Sequence, residues 1–276
     1  LVRLNVSIVV EQNGRRETGG HGMGGRFAYA RIVSPESWKA AVDEALQEPV
    51  LLAPRQEPNL APLLARRLNV AGSPPLIRTT LDANLQRRLE DLLLGWRARL
   101  PERTSAAILV VDSESMAVRA YLGSLDVGDD KRYGHVDMIR AQRSPGSTLK
   151  PFLYGLALEK GIVTAATELA DTPMDVRVEN GRSYLPENIN HSFLGPMLLR
   201  EALGNSRNIP ALRVLEQVGV EPALRFLEKA GVGGISYEPD RYGLGLAVGN
   251  LHVTLEELSE LYLVLAHEGE TRSLRR

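Results

Sequence analysis

Arg143 to Phe152 constrains this chain more than any other stretch, because Pro145, Gly146 and Pro151 bracket one short segment. Pro145 fixes its own φ, and Gly146 reaches backbone angles closed to other residues. Beyond them Leu149, Phe152, Leu153, Leu156 and Ala157 recur at helical spacing, and Gly161 supplies a stop. Pro151 lacks an amide hydrogen and is tolerated only near the start of that helix. The pattern predicts a tight turn released into a helix, with Ser147 at or just before the first turn. Free N–H groups and the helix dipole favour negative charge there. Lys150, three residues on, falls on the same face. A hydroxyl and an amine held side by side at a helix N-terminus are the parts of an activated nucleophile. The plain alternative is an N-cap serine beside a solvated lysine.

Composition bears on that choice. The chain has 28 Arg and only 5 Lys, so its basic positions are habitually arginine. Arginine holds its proton to a pKa above ~12 and cannot accept one, whereas burial and a positive field turn lysine into a usable base. Position 150 is an exception to the habit where chemistry would demand one. The 276 residues, 43% hydrophobic and 24% charged, suffice for one large domain or two small ones. A net charge of −1 gives no electrostatic footprint for nucleic acid, so no such partner is expected. No apolar run approaches the ~18 residues that span a bilayer. No signal peptide heads the sequence, and Leu1 in place of Met reads as a piece of something longer. Cysteine is absent and the five histidines lack metal spacing, so neither a metal nor another cofactor is expected.

In chain order, residues 6–10 offer a strand, and Gly20 to Gly25 formally satisfies G-x-G-x-x-G. A dinucleotide site needs a βαβ unit around that motif. No crossover helix precedes Ser34, so the segment reads as flexible. Ser34 and Pro35 open a helix to about Glu48. Four prolines over 49–62 mark a linker. A short helix over 60–68, a strand over 76–80 and a helix capped by Asp82 and running to about Leu100 are expected next. Residues 106–111 and 117–123 form a hairpin, and 126–133 a charged loop. Residues 171–190 are polar and read as a surface excursion. Helices over 198–203, 211–218, 222–230 and 254–267 complete the chain, the last with Thr254 and Glu257 as a capping box. Ser206 and Asn208 fall on the connection between the first two of these. Helices with a few antiparallel strands make an α+β organisation.

Ser147-x-x-Lys150 with Ser206-x-Asn208 resembles the active-site pattern of serine penicillin-recognising enzymes. Arg143-Ser144-Pro145-Gly146-Ser147 with Lys150-Pro151-Phe152 is similar to the nucleophile motif of class A (bifunctional) penicillin-binding proteins. Thr79-Thr80-Leu81-Asp82 with Leu85-Gln86 resembles the segment that opens their transpeptidase domain, and Ser206 to Ala211 their second motif. Residues 246–267 resemble the helix after it. Leu52 to Gln56 and Gly134 to Met138 point to the penicillin-binding protein 1C branch. The resemblance runs from about residue 48 to 276. It implies a transpeptidase or serine β-lactamase-like α+β fold, an antiparallel sheet flanked by helices, C-terminally incomplete. It also implies a division into a remnant and linker over 1–55 and an incomplete transpeptidase domain over 56–276.

The resemblance further implies peptidoglycan D,D-transpeptidase chemistry through an acyl-serine, at the periplasmic face of the bacterial inner membrane. Ser147 would be the nucleophile, Lys150 its base and Ser206 a proton shuttle, while Asn208 would hold the donor peptide. Stem peptides ending in D-Ala-D-Ala and β-lactams would be the ligands, and other cell-wall synthesis proteins the partners. Taken alone, Ser206-x-Asn208 is a plain helix-linking turn. Two departures stand out. No Lys-Thr-Gly run occurs, so weak catalysis by this chain is expected, and no glycosyltransferase domain precedes the linker. Residues 1–30 do not follow the pattern. Gly14 to Glu17 and Gly24 to Phe27 resemble pieces of a TldD-type metallopeptidase, but that family's H-E-x-x-x-H run is missing and no activity is assigned. The same Ser/Lys/Ser/Asn set also occurs in β-lactamases and β-lactam sensors, and a non-catalytic binding remnant is the third alternative.

Overall fold

Hydrophobic periodicity builds most of the fold as helices. The computed structural model describes residues 2–12, 15–25, 39, 43, 60–177, 183–238 and 241–276. Residues Leu1–Pro58 and Asn59–Arg276 form two units. In the first, β1 (Val2–Gln12) and β2 (Arg15–Gly25) pair antiparallel from Val2 opposite Gly25 to Gln12 opposite Arg15. This corrects the expectation of a flexible glycine segment, since Gly20 to Gly25 is a paired strand. The sequence between the strands is Asn13-Gly14, a dipeptide favoured between hairpin strands. G-x-G-x-x-G lies within β2, not at the strand-to-helix turn a dinucleotide site requires. The helix expected over 34–48 (apart from helical Lys39 and Asp43) and the linker expected from residue 49 lie largely outside the described residues.

The second unit opens with α1 (Pro62–Leu68) and α2 (Ala83–Trp96). Asp82 caps α2 by accepting from the amides of Asn84 and Leu85 at 2.9 and 3.0 Å. The strand expected over 76–80 does not form. Leu76 and Ile77 are exposed. Thr80 touches the neighbouring strand without a backbone ladder: its hydroxyl donates to the Val118 carbonyl at 2.8 Å, and its carbonyl accepts from the Arg119 side chain at 3.4 Å. The hairpin does form, as β3 (Ile108–Val111) and β4 (Val118–Leu122), with a bulge at Val110/Val111. Arg275 bridges in parallel sense to Ala117, just ahead of β4. Leu85, Leu89 and Leu93 of α2 pack on one face of this hairpin, and Leu255 and Leu263 on the other.

The largest core surrounds α3 (Lys150–Glu159), whose Phe152, Leu153, Leu156 and Ala157 are buried. After it come β5 (Glu168–Asp171), β6 (Val176–Arg177), β7 (Ser183–Tyr184) and β8 (Gly195–Leu198). β5 pairs antiparallel with β8, and β6 with β7. Then follow α4 (Leu199–Gly204), α5 (Asn208–Val218) and α6 (Val220–Lys229). Ile209, Leu212 and Leu215 of α5 and Ala223, Leu224 and Leu227 of α6 recur at helical spacing and face the core around α3. A 3₁₀ helix (Gly243–Val248) and α7 (Leu255–Ala266) close the unit. Thr254 and Glu257 make the expected capping box on α7.

Candidate active site

Pro145 at φ −74° and Gly146 at φ +56° lead into a 3₁₀ turn, Gly146–Leu149, and α3 begins only at Lys150. Ser147 therefore sits in the turn ahead of the α-helix. Pro151 is the cause. In an α-helix the Ser147 carbonyl would accept from residue 151, which has no amide hydrogen, so it accepts from the Lys150 N–H instead. Residues i and i+3 eclipse in a 3₁₀ turn, which keeps Ser147 and Lys150 on one side. Ser147 is half-buried, while Lys150 is 1% exposed.

Neighbouring elements anchor this turn. Ser144 Oγ donates to the Gly249 carbonyl at 2.7 Å and accepts from the Gly146 amide at 3.2 Å. Gly249, at φ +95°, ends the 3₁₀ helix, and a Cβ there would lie 2.4 Å from the Gly146 backbone. The Tyr262 hydroxyl of α7 donates to the Thr148 carbonyl at 3.0 Å, with its ring edge-on to Phe152 at 5.1 Å.

The second motif arises from the way α4 ends. The Ser206 amide donates to the Leu203 carbonyl and the Arg207 amide to the Ala202 carbonyl, each at 2.9 Å. That pair of bonds is a Schellman motif, whose left-handed position is normally glycine. Here Ser206 occupies it at φ +51°, a conformation that costs a side-chain-bearing residue ~1–3 kcal/mol. Its carbonyl turns toward the amine of α3. Asn208 is the first residue of α5, so of the two motif residues only Ser206 lies on the connection expected between the helices, with Asn205 and Arg207.

Lys150 Nζ donates to the Ser206 carbonyl at 2.6 Å and to Asn208 Oδ1 at 2.8 Å, and lies 3.3 Å from Ser206 Oγ. Asn208 Nδ2 donates to the Glu187 carbonyl at 3.0 Å, which fixes the face its carboxamide oxygen presents. Lys150, Ser206 and Asn208 are thus in contact. The Ser147 hydroxyl is not among the partners of Nζ and shares only its side of the turn. Burial, and then the Arg207 guanidinium, lower the Lys150 pKa from 10.5 to about 8.

Within the stretch 171–190, read from its polarity as a surface excursion, Tyr184, Leu185 and Ile189 are exposed as expected, but two polar residues turn inward. Asp171 is fully buried and Asn188 nearly so. Asp171 Oδ2 accepts from Arg207 Nε at 2.8 Å, and Asn188 Oδ1 accepts from the Asn208 amide at 2.8 Å. The sequence reading missed these two residues and Arg207. The signal available was the alternation of Glu168-Leu169-Ala170-Asp171, which puts Asp171 on the same face of β5 as Leu169. Among the described residues, no group of three or more His, Asp or Glu is placed to hold a metal, and no helix is long and apolar enough to cross a membrane.

The family model for the penicillin-binding protein transpeptidase domain matches residues 106–275. Penicillin-binding protein 1C of Escherichia coli K12 is 44% identical over 236 residues, which is 85% of this chain and 30% of that protein. The chain thus spans about a third of the length of that relative. The crystal structure of penicillin-binding protein 1A from Haemophilus influenzae superposes with a TM-score of 0.51 at 28% identity, covering 59% of this chain and 23% of that one. Penicillin-binding protein PonA1 of Mycobacterium tuberculosis has a similar fold, with a TM-score of 0.62 at 22% identity over 79% of this chain and 57% of that one. A model match over more than half the sequence, with the Ser147-x-x-Lys150 turn and the Ser206-x-Asn208 turn inside it, makes this chain a member of the class A penicillin-binding protein transpeptidase family.

Proposed function

We propose that the chain carries out serine acyl transfer on peptidoglycan stem peptides. The contact between the buried Lys150 amine and the Ser206–Asn208 turn carries this reading. Ser147 Oγ attacks the carbonyl of the penultimate D-Ala, forming the acyl-serine bond, while the neutral amine of Lys150 takes the hydroxyl proton. Ser206 passes a proton to the departing nitrogen as the peptide bond breaks, releasing the terminal D-Ala. A neutral amine has two N–H donors, which match the two short contacts to the Ser206 carbonyl and Asn208 Oδ1. Its lone pair is then left for a hydroxyl proton, and Ser206 Oγ at 3.3 Å is one such neighbour. The Asn208 carboxamide orients the donor peptide. An amine from a second strand completes the transfer, and a β-lactam acylates the same serine.

The residues we assign to this domain are 56–276, with 1–55 as remnant and linker. By family, the setting is the periplasmic face of the inner membrane, alongside other cell-wall synthesis proteins. We expect acylation to be slow, because the sequence contains no Lys-Thr-Gly run. Loss of a single oxyanion donor alone costs ~10²–10³ in rate. Labelling of the purified chain with a fluorescent penicillin tests the assignment. Slow, stable labelling that disappears in Ser147→Ala is expected. Labelling that survives Ser147→Ala would overturn it, and rapid release of the label would favour a hydrolase.

A further inference from the structure

We propose that Asp171 is a positioning residue for the acyl transfer argued above: from β5 it clamps Arg207 and Asn188, holds the Ser206–Asn208 turn against the Lys150 amine, and offsets the guanidinium charge beside that amine. The inference rests on the proposed function only for what the amine does, since the clamp itself is geometric. Asp171 is fully buried. Its Oδ1 accepts from Asn188 Nδ2 at 2.8 Å, and its Oδ2 from the Leu194 amide at 3.0 Å and Arg207 Nε at 2.8 Å. Arg207 Nη2 lies 2.6 Å from the same oxygen, and Nη1 donates to Asn190 Oδ1 at 3.1 Å. Asn188 passes the clamp on by accepting from the Asn208 amide at 2.8 Å.

Arg207 lies between Ser206 and Asn208, so whatever holds its side chain holds both functional groups. Ser206 sits at φ +51°, a backbone conformation that persists only where its surroundings over-determine it. A buried guanidinium needs a carboxylate partner. Without one, its positive charge acts undiminished on the nearby amine and lowers the amine's proton affinity. Among the charged groups on the elements packed against α3, Arg207 is the one that acts on the Lys150 amine. It lies on the connection before α5, and Asp171 of β5 acts on Tyr154 of α3. Tyr262 of α7 donates to Thr148. On α6, Arg225 pairs with Glu221, and Glu228 accepts from Tyr237, all in exposed bonds. Glu187 and His191 pair with each other in an exposed contact.

The chain has five lysines, so ¹³C labelling at lysine Cε gives a small set of signals, with Lys150 assigned by its loss in Lys150→Met. The titration midpoint of that signal and the pH profile of penicillin acylation are measured on the full chain, for the wild type and for Asp171→Asn. The NMR midpoint in Asp171→Asn is expected to fall by about one pH unit, and the acylation profile to shift with it. A role confined to stability would lower the rate without moving either midpoint, and an unmoved or raised midpoint overturns the proposal. Should Asp171→Asn fail to fold, Asp171→Asn/Arg207→Gln carries the test, since it leaves no unpaired buried charge. Its acylation is expected to slow by about tenfold or more as the turn loses its clamp, and a wild-type rate overturns the proposal. A shifted NMR midpoint in a protein whose wild type takes no penicillin would refute the transferase reading while supporting the coupling of Asp171 to the amine.

Discussion

Replacing Lys150 with methionine separates the charge of this side chain from its volume. Lys150 is 1% exposed, and its amine is held at a pKa of about 8 against an ordinary 10.5. Between those two values the unfolded lysine still carries a proton that the folded one has released. The unfolded state therefore binds more protons, and stability rises with pH. The slope is ~1.4 kcal/mol per pH unit, so the gain across the interval is about 3 kcal/mol. Above the unfolded pKa the burial penalty is absent, and as pH falls through the folded pKa it is imposed in full. Methionine has no such dependence. Guanidinium denaturation of both proteins at a series of pH values gives the difference in unfolding free energy, in which other titrating groups cancel. Wild type minus Lys150→Met is expected to climb by about 3 kcal/mol from neutral pH to about pH 10.5. A difference that stays flat would refute the claim that this amine is buried with a weakened hold on its proton.

The same titration should govern chemistry, so penicillin acylation is expected to accelerate as pH rises through about 8, and a rate independent of pH there would contradict Lys150 as base. Ser206→Gly removes a side chain from a left-handed position. It should stabilise the fold by ~0.5–1 kcal/mol, read as a higher melting temperature, while slowing acylation by about 10²-fold. Gly249→Ala places a methyl 2.4 Å from the Gly146 backbone. It should lower the melting temperature and impair labelling at Ser147 despite leaving every proposed catalytic side chain in place. Asn208→Ala strips an acceptor from Lys150 and a donor from the Glu187 carbonyl. A loss of ~1–3 kcal/mol in denaturation is expected, together with slower acylation.

The helices of the second unit were legible because their determinants are local. Asp82 and Thr254 cap the helices their positions announced, and the spacing of Phe152, Leu156 and Leu212 matches the faces they bury. The sequence motifs also identified the residues that meet at Lys150. The supports were harder to see. Asp171 and Asn188 look like loop polarity, yet Asp171 is paired into the β5–β8 ladder and bonds Arg207 and Asn188 in the interior. The strand expected over 76–80 failed for a similar reason. Its Thr-rich composition favours β structure, but among the described residues 76–80 makes only the isolated Thr80 contacts with β4. The 3₁₀ turn at Ser147 could have been foreseen from Pro151, because removing one amide hydrogen forces the shorter hydrogen bond. The β1–β2 pairing was missed because glycine-rich β2 lacks the alternation that marks a strand.

Peptide mapping of the penicillin adduct tests the central claim most directly. Trypsin cleaves after Arg143 and is blocked at Lys150 by Pro151, so Ser147 is carried on the peptide 144–160. Mass spectrometry is expected to find one penicillin on that peptide, attached at Ser147. An adduct on another serine, or an unmodified 144–160 peptide in a labelled protein, would contradict the account.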